Sequence, residues 1–183
     1  SSVKGSVIVK DFSKEKFKMN LKSNKVNVIK ILPGGVVTAK DTAEIELDAN
    51  GEFVRNPGVD LVKVAVVERH QGTGNVACGF LKGYGIKEGA VALSVAHDSH
   101  NIIVVGVNDE EMEFAVNSLI EQEGGIVLVK EGKVIESMPM PIAGLMSDQS
   151  GEWVDQKLTD IHEKAYEELG ICGDVEPVMT LCF

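Results

Sequence analysis

The sequence predicts an α+β fold: a mostly antiparallel β-sheet with flanking helices, preceded by a small all-β segment. Three observations carry this expectation. Short β-branched runs follow one another at hairpin spacing, as in IVLVKEGKVIES, where Gly132 permits a positive φ in the turn. Only two segments have helical periodicity, and they are interspersed among the strands, whereas a doubly wound parallel sheet alternates a helix with each strand. The 183 residues, 44% of them hydrophobic, are enough to bury one sizeable core.

The first fifty residues read as four strands, VKGSVIVK, FKMNLK, KVNVIKIL and VVTAKDTAEIEL, with turns at Ser23-Asn24 and Pro33-Gly34-Gly35. So few strands hardly bury a core alone, so this unit is expected to belong to a sheet completed elsewhere. Residues 1–50 hold nine Lys against six acids, and the remainder holds nine basic residues against twenty-two acids. This shift from +3 to −13, falling at Asn50-Gly51, divides the chain into a β-strand segment, residues 1–52, and an α+β unit, residues 53–183.

In the second unit, LVKVAVVERH reads as a strand or a buried helix segment, and the Gly-rich QGTGNVACGFLKGYGIKEGA follows it. VALSVAHDSHNIIVVGVN reads as two apolar strands joined at a polar corner. In NDEEMEFAVNSLIEQEGG, Asn108 is the N-cap with Glu111 three residues on. Met112, Ala115, Val116, Leu119 and Ile120 share a face, and Gly124 stops the helix. After the Gly132 hairpin, PMPIAGLMSD is an irregular connection. A last helix runs from about Glu152 to Leu169, with Val154, Leu158, Ile161, Ala165 and Leu169 on its buried face and Gly170 as its stop.

Composition excludes several classes of function. A net charge of −10 disfavours a nucleic-acid backbone as partner, because phosphate binding needs clustered Lys and Arg. Cys78, Cys172 and Cys182 are odd in number and lack CxxC spacing, which suggests neither a disulfide framework nor a cysteine zinc site. No apolar run approaches the roughly 20 residues of a membrane span. Charged residues stand where a signal peptide's apolar region would lie, so a cytoplasmic location is expected.

Three stretches carry candidate chemistry. Gly72-Thr73-Gly74-Asn75-Val76-Ala77 matches the dinucleotide pattern GxGxxA, but Gly79, Gly83 and Gly85 interrupt the long helix that this pattern needs. The loop therefore reads as a close backbone approach or a segment near a ligand, with Glu68, Arg69 and His70 at its entrance and Thr73 and Asn75 within it. An ion pair between Glu68 and Arg69 is an adequate structural explanation of that entrance.

The third stretch, SVAHDSHN, packs His97, Asp98, Ser99, His100 and Asn101 between two strands. A Ser-His-Asp triad fails on geometry, because neighbouring side chains rarely bring the acid to the ring nitrogen facing away from the serine. Three readings stay open. His97 and His100 are metal ligands, with Asp98 as a third ligand or bonded to one imidazole ring and His70 or Glu68 as a fourth, or Asp98, Ser99 and Asn101 bond a local turn, or the corner touches a polar substrate. Glu68, His70, His97, Asp98 and His100 are expected to come together at the ends of buried strands, with His70 and His97 within about 15 Å. His162 and Trp153 read as packing residues of the last helix.

The run VVERHQGTGNVACGFLKGYGIKEGAVALSVAHDSHNIIVVGVND, then GGIVLVKEGKVIES, PIAGLMSD and PVMTLCF, resembles the C-terminal region of the prokaryotic adenine deaminases of the amidohydrolase superfamily. The likeness covers residues 60–183 strongly and 1–50 loosely. It implies hydrolytic deamination of adenine to hypoxanthine and ammonia in purine salvage, with manganese, iron or zinc activating the water in a (β/α)8 barrel. A barrel takes about 250 residues, and the motifs of the family's barrel are not in this sequence. The resemblance therefore implies a C-terminal portion, inactive alone, whose partners are adenine, the catalytic barrel of the same enzyme and, for assembly, a second copy of the chain. The alternative is a stand-alone module binding a small ligand without catalysis.

Overall fold

The computed structural model describes residues 17–32, 38–56, 58–67, 76–94, 102–122, 124–139 and 151–171, the side chains of 38, 139 and 151–155 excepted. Among the described residues there are ten strands and two helices: β1 (Lys25–Ile31), β2 (Thr38–Glu44), β3 (Glu46–Leu47), β4 (Phe53–Val54), β5 (Leu61–Val67), β6 (Val76–Lys82), β7 (Ala90–Leu93), β8 (Ile102–Gly106), α1 (Asp109–Glu121), β9 (Gly125–Lys130), β10 (Lys133–Pro139) and α2 (Gly151–Glu167). Eight strands make one sheet in the order β10-β9-β7-β8-β5-β6-β1-β2, and β3 pairs with β4 in a second, two-stranded sheet. All pairings are antiparallel except β1 with β6, so the expected mostly antiparallel α+β fold is what forms.

The central strands β7 and β8 are apolar at every position because both faces are covered. Ile102–Gly106 is buried throughout, as is Ala90–Leu93. On β9, Val127 and Val129 pack with α1 whereas Ile126 and Leu128 pack with α2. Successive strand residues point to opposite faces, so the two helices lie on opposite sides of the sheet.

Helix α1 starts where the sequence places it. The Asn108 side chain accepts the Glu111 amide, and Met112, Ala115, Val116 and Leu119 are buried at i, i+3, i+4 and i+7. Three acids fill its first turn, where the helix dipole favours negative charge. Glu111 also reaches across to accept the amides of Glu131 and Gly132 at 3.0 Å each, tying the helix to the β9–β10 hairpin. Both hairpin residues have positive φ, 53° and 71°, the geometry of a tight turn matched to strand twist. In α2, Ile161 and Ala165 are buried as expected and Leu158 is half-buried, the Val154 side chain lying outside the described residues; Leu169, two residues past the end of the helix, is buried, and Gly170 follows with φ 76°.

Two local expectations fail. FKMNLK is not a strand: the Met19 and Asn20 amides donate to the Glu52 carboxylate at 2.8 and 2.9 Å, and Leu21 N donates to Gly51 O. These backbone groups are satisfied by a carboxylate and a turn, leaving nothing for a ladder. Conversely, the Gly-rich stretch supplies β6, paired with β5 from Val67↔Val76 to Leu61↔Lys82. Gly79 lies in that ladder opposite Val64, and partners on both sides outweigh the low strand propensity of glycine.

Candidate functional site

Three of the motif-bearing segments are anchored at one end of the main sheet. Val67, the last residue of β5, pairs with Val76 of β6 and with Ile102 of β8. Leu93, the last residue of β7, pairs with Ile103 of β8 and Ile126 of β9, and Gly125 of β9 pairs with Pro139, the last residue of β10. The strand ends that flank 68–75, 95–101 and 140–150 thus belong to five strands of one sheet, β5 and β6, β7 and β8, and β10. Since β8 alone separates β5 from β7, the anchors of the first two lie roughly 10 Å apart, two strand spacings.

These anchors are fixed. Val67, Leu93 and Ile102 are fully buried. Ser94, also fully buried, donates its amide to Gly125 O and accepts the Gly125 amide on its hydroxyl at 2.7 Å, which locks the end of β7 to the start of β9. The Gln122 side chain donates to the carbonyls of Gly124 and Ile126, closing the end of α1 onto the same edge. The candidate residues Glu68, Arg69, His70, Thr73, Asn75, His97, Asp98, Ser99, His100 and Asn101 lie outside the described residues, as do Cys172, Cys182 and the side chain of Trp153. Among the described residues no group of three His, Cys, Asp or Glu is placed to hold a metal ion.

The opposite end of the sheet holds a charged cluster. Lys63, on the α1 face of β5, is 5% exposed, and its ammonium donates to Phe17 O at 2.7 Å and to Asp109 Oδ1 at 2.9 Å. Asp109 is the first residue of α1, so its carboxylate is favoured both by the lysine and by the helix N-terminus. Around the pair is a cleft of about 370 Å³, to which Lys18, Arg55, Asp48, Glu52 and Glu110 contribute. Arg55 reaches the Ile86 carbonyl at 3.5 Å, and its Nε is buried with no hydrogen-bond partner among the described residues. Glu52 and Asp109 are already engaged in structural bonds, so these charges hold the N-terminal strands, the sheet and α1 together. The one signal in the sequence is the lone Lys in LVKVAVV, a charge at a position whose neighbours at i+2 and i+4 face the core.

Cys78 and His162 behave as packing residues. Burial raises the Cys78 thiol above its ordinary value, the nearby Lys63 opposing this only in part, and its Sγ lies 3.8 Å from Phe17 O. Such a thiol lacks the stabilised thiolate of a reactive cysteine. His162 is half-buried on α2, its ring 6.4 Å from that of Tyr166.

The model of the adenine deaminase C-terminal domain matches residues 35–183. Adenine deaminase 2 of Desulfotalea psychrophila is 65% identical over 183 residues, which is all of this chain and 32% of the relative. The adenine deaminases of Ligilactobacillus salivarius and Bacillus subtilis are 48% and 43% identical over 182 and 172 residues. The chain spans about a third of the length of these curated relatives. The breadth of the family match, which takes in the strands from β2 onward, both helices and all three segments at the end of the sheet, means that the chain belongs to the adenine deaminase C-terminal domain family.

Proposed function

We propose that this chain works as the C-terminal part of an adenine deaminase of the amidohydrolase superfamily, converting adenine and water to hypoxanthine and ammonia in cytoplasmic purine salvage. The observation that carries the reading is the match of residues 35–183 to the adenine deaminase C-terminal domain, together with 65% identity to one such enzyme along the whole chain. The reaction's divalent metal, manganese, iron or zinc, would activate the attacking water. In this reading its ligands belong to the catalytic barrel, and the 183 residues alone do not turn over adenine.

The contribution of this chain is then positional. The strand ends that flank 68–75, 95–101 and 140–150, on β5, β6, β7, β8 and β10, lie at one end of the sheet, and the ties at Ser94 and Gln122 brace that end. Glu68, His70, His97, Asp98 and His100 are proposed to approach the purine or the metal-bound site of the barrel from this end, supplying polar contacts to the substrate. Rigid strand ends suit this task, because a displacement of about 1 Å in a positioning group costs up to a hundredfold in rate.

Adenine turnover tests the reading, assayed for the 183-residue chain and for the full-length enzyme with manganese supplied. The expected result is turnover by the full-length enzyme only, with His97→Ala and His100→Ala each lowering its kcat/KM by about tenfold or more. Enzyme-like turnover by the short chain would overturn the inactive-portion half, and a full-length enzyme indifferent to both substitutions would overturn the substrate-proximal half.

A further inference from the structure

Among the described residues, the buried apolar side chains fall into three clusters of unequal completeness. Two of them hold sixteen and thirteen buried residues with only six and four partly buried ones. The third, built on Val28, Ile45, Leu61 and Phe80, reverses the ratio: four buried, six partly buried. Its Phe53 meets Phe80 edge-on at 5.0 Å and is itself only half-buried.

Beside it opens a groove of about 310 Å³ walled by Phe53, Val54, Val59 and Leu61, with Glu44 and Glu46 on its rim. Val54 and Val59 are 40% and 48% exposed, two of the four large hydrophobic residues most exposed among the described residues. The adjoining β3–β4 sheet has two strands of two residues each, whereas a two-stranded sheet is marginal without a further partner.

We infer that this groove is a docking surface for a stretch of the longer deaminase polypeptide outside these 183 residues: an apolar segment carrying Lys or Arg opposite Glu44 and Glu46. The inference rests on the reading of the chain as part of a longer enzyme. Relatives of which this chain spans 32% have ample polypeptide to cover it. A second copy fits less well. In a two-fold interface through this groove Glu44 and Glu46 would face their own counterparts, and like charges brought together at an interface are repulsive. An apolar segment with one or two cations satisfies both the valines and the carboxylates.

Val54→Asp/Val59→Asp, made in the 183-residue chain and in the full-length deaminase carrying it, tests the inference by thermal unfolding and amide hydrogen exchange. The short chain is expected to keep its unfolding midpoint and to exchange faster over residues 44–59 than the full-length protein does. The full-length protein is expected to protect those amides, and to lose both that protection and several degrees of midpoint in the variant. Val134→Asp, at a residue 45% exposed and outside the groove, should change neither protein. An unchanged full-length midpoint would overturn the inference. So would equal destabilisation of the short chain, which places the cover within it, or a wild-type short chain that dimerises with residues 44–59 protected. Because the readouts are protection and stability, a full-length protein that fails to deaminate adenine leaves this test intact and refutes only the functional reading.

Discussion

Residues 61–139 and residues 17–60 use the same element, the β-strand, with opposite economy of surface. In the first region β7 and β8 are buried at every position, between α1 on one face and the cluster that includes α2 on the other. In the second, β1 buries only Val28 and Ile31 fully and leaves Ile29 46% exposed. The difference teaches that strand propensity does not decide how much a strand stabilises; the number of covered faces does. A strand covered twice can be apolar throughout, whereas one covered once alternates and leaves surface for another partner.

The strongest break of this comparison is Gly89→Ala. Gly89 has φ 71°, and an added Cβ would sit 1.9 Å from Val129 O and 2.9 Å from Leu169 Cδ2, at the closest approach of β9 to the turn before β7. A stability loss of more than about 4 kcal/mol is expected from overpacking and backbone strain together, read by urea unfolding. A loss under about 1 kcal/mol would mean that β9 moves aside, and that the central region is less rigid than its burial implies.

The direct contrast is Leu93→Ala against Ile29→Ala. The fully buried Leu93 should cost about 3 kcal/mol, the half-exposed Ile29 under about 0.5 kcal/mol. Equal losses would abolish the distinction between the regions.

Lys63 joins the two regions, since its ammonium bonds Phe17 O on one side and Asp109 on the other. Lys63→Ala removes the ammonium that bonds both the Phe17 carbonyl and the Asp109 carboxylate. With the Asp109 side chain 30% exposed, solvent takes part of that cost, so a loss of about 2 kcal/mol is expected. Lys63→Ala with Asp109→Asn should lose less than the sum of the single changes, a coupling that a double-mutant cycle measures.

The smallest effect concerns pH. Burial holds the Cys78 thiol above its ordinary value in the folded chain, so the folded state keeps its proton after the unfolded state has released it. The stability from this group is complete below the ordinary thiol pKa and is lost as pH rises from there through the raised pKa of the folded chain. Cys78→Ala should therefore flatten the decline in stability above about pH 9, read as the urea midpoint across an alkaline series.

Much of the fold was legible in the sequence because local signals and packing agree. Asn108, Glu111 and Gly124 bound α1 as their cap chemistry demands, and Gly132 gives the hairpin. The strand β6 was hidden in the Gly-rich stretch, because its order comes from partners remote in sequence, β5 on one side and β1 on the other. FKMNLK misled for the opposite reason: its alternation is real, but a carboxylate thirty-odd residues away takes its amides. The candidate residues of ERH and AHDSHN were legible as chemistry, and the described strands add where their segments are anchored.

By itself the sequence determined the fold class, both helices, the hairpin and the family, because caps, turns, periodicity and long motifs are properties of neighbouring residues. Only the tertiary structure decided the strand order that brings the strand ends flanking 68–75, 95–101 and 140–150 to one end of a sheet, the pairing of Lys63 with Asp109 across 46 positions, and the part-exposed apolar surface around Val54 and Val59. Each of these depends on which strand lies beside which. That choice is made by burial summed over the whole chain, a quantity no local pattern contains.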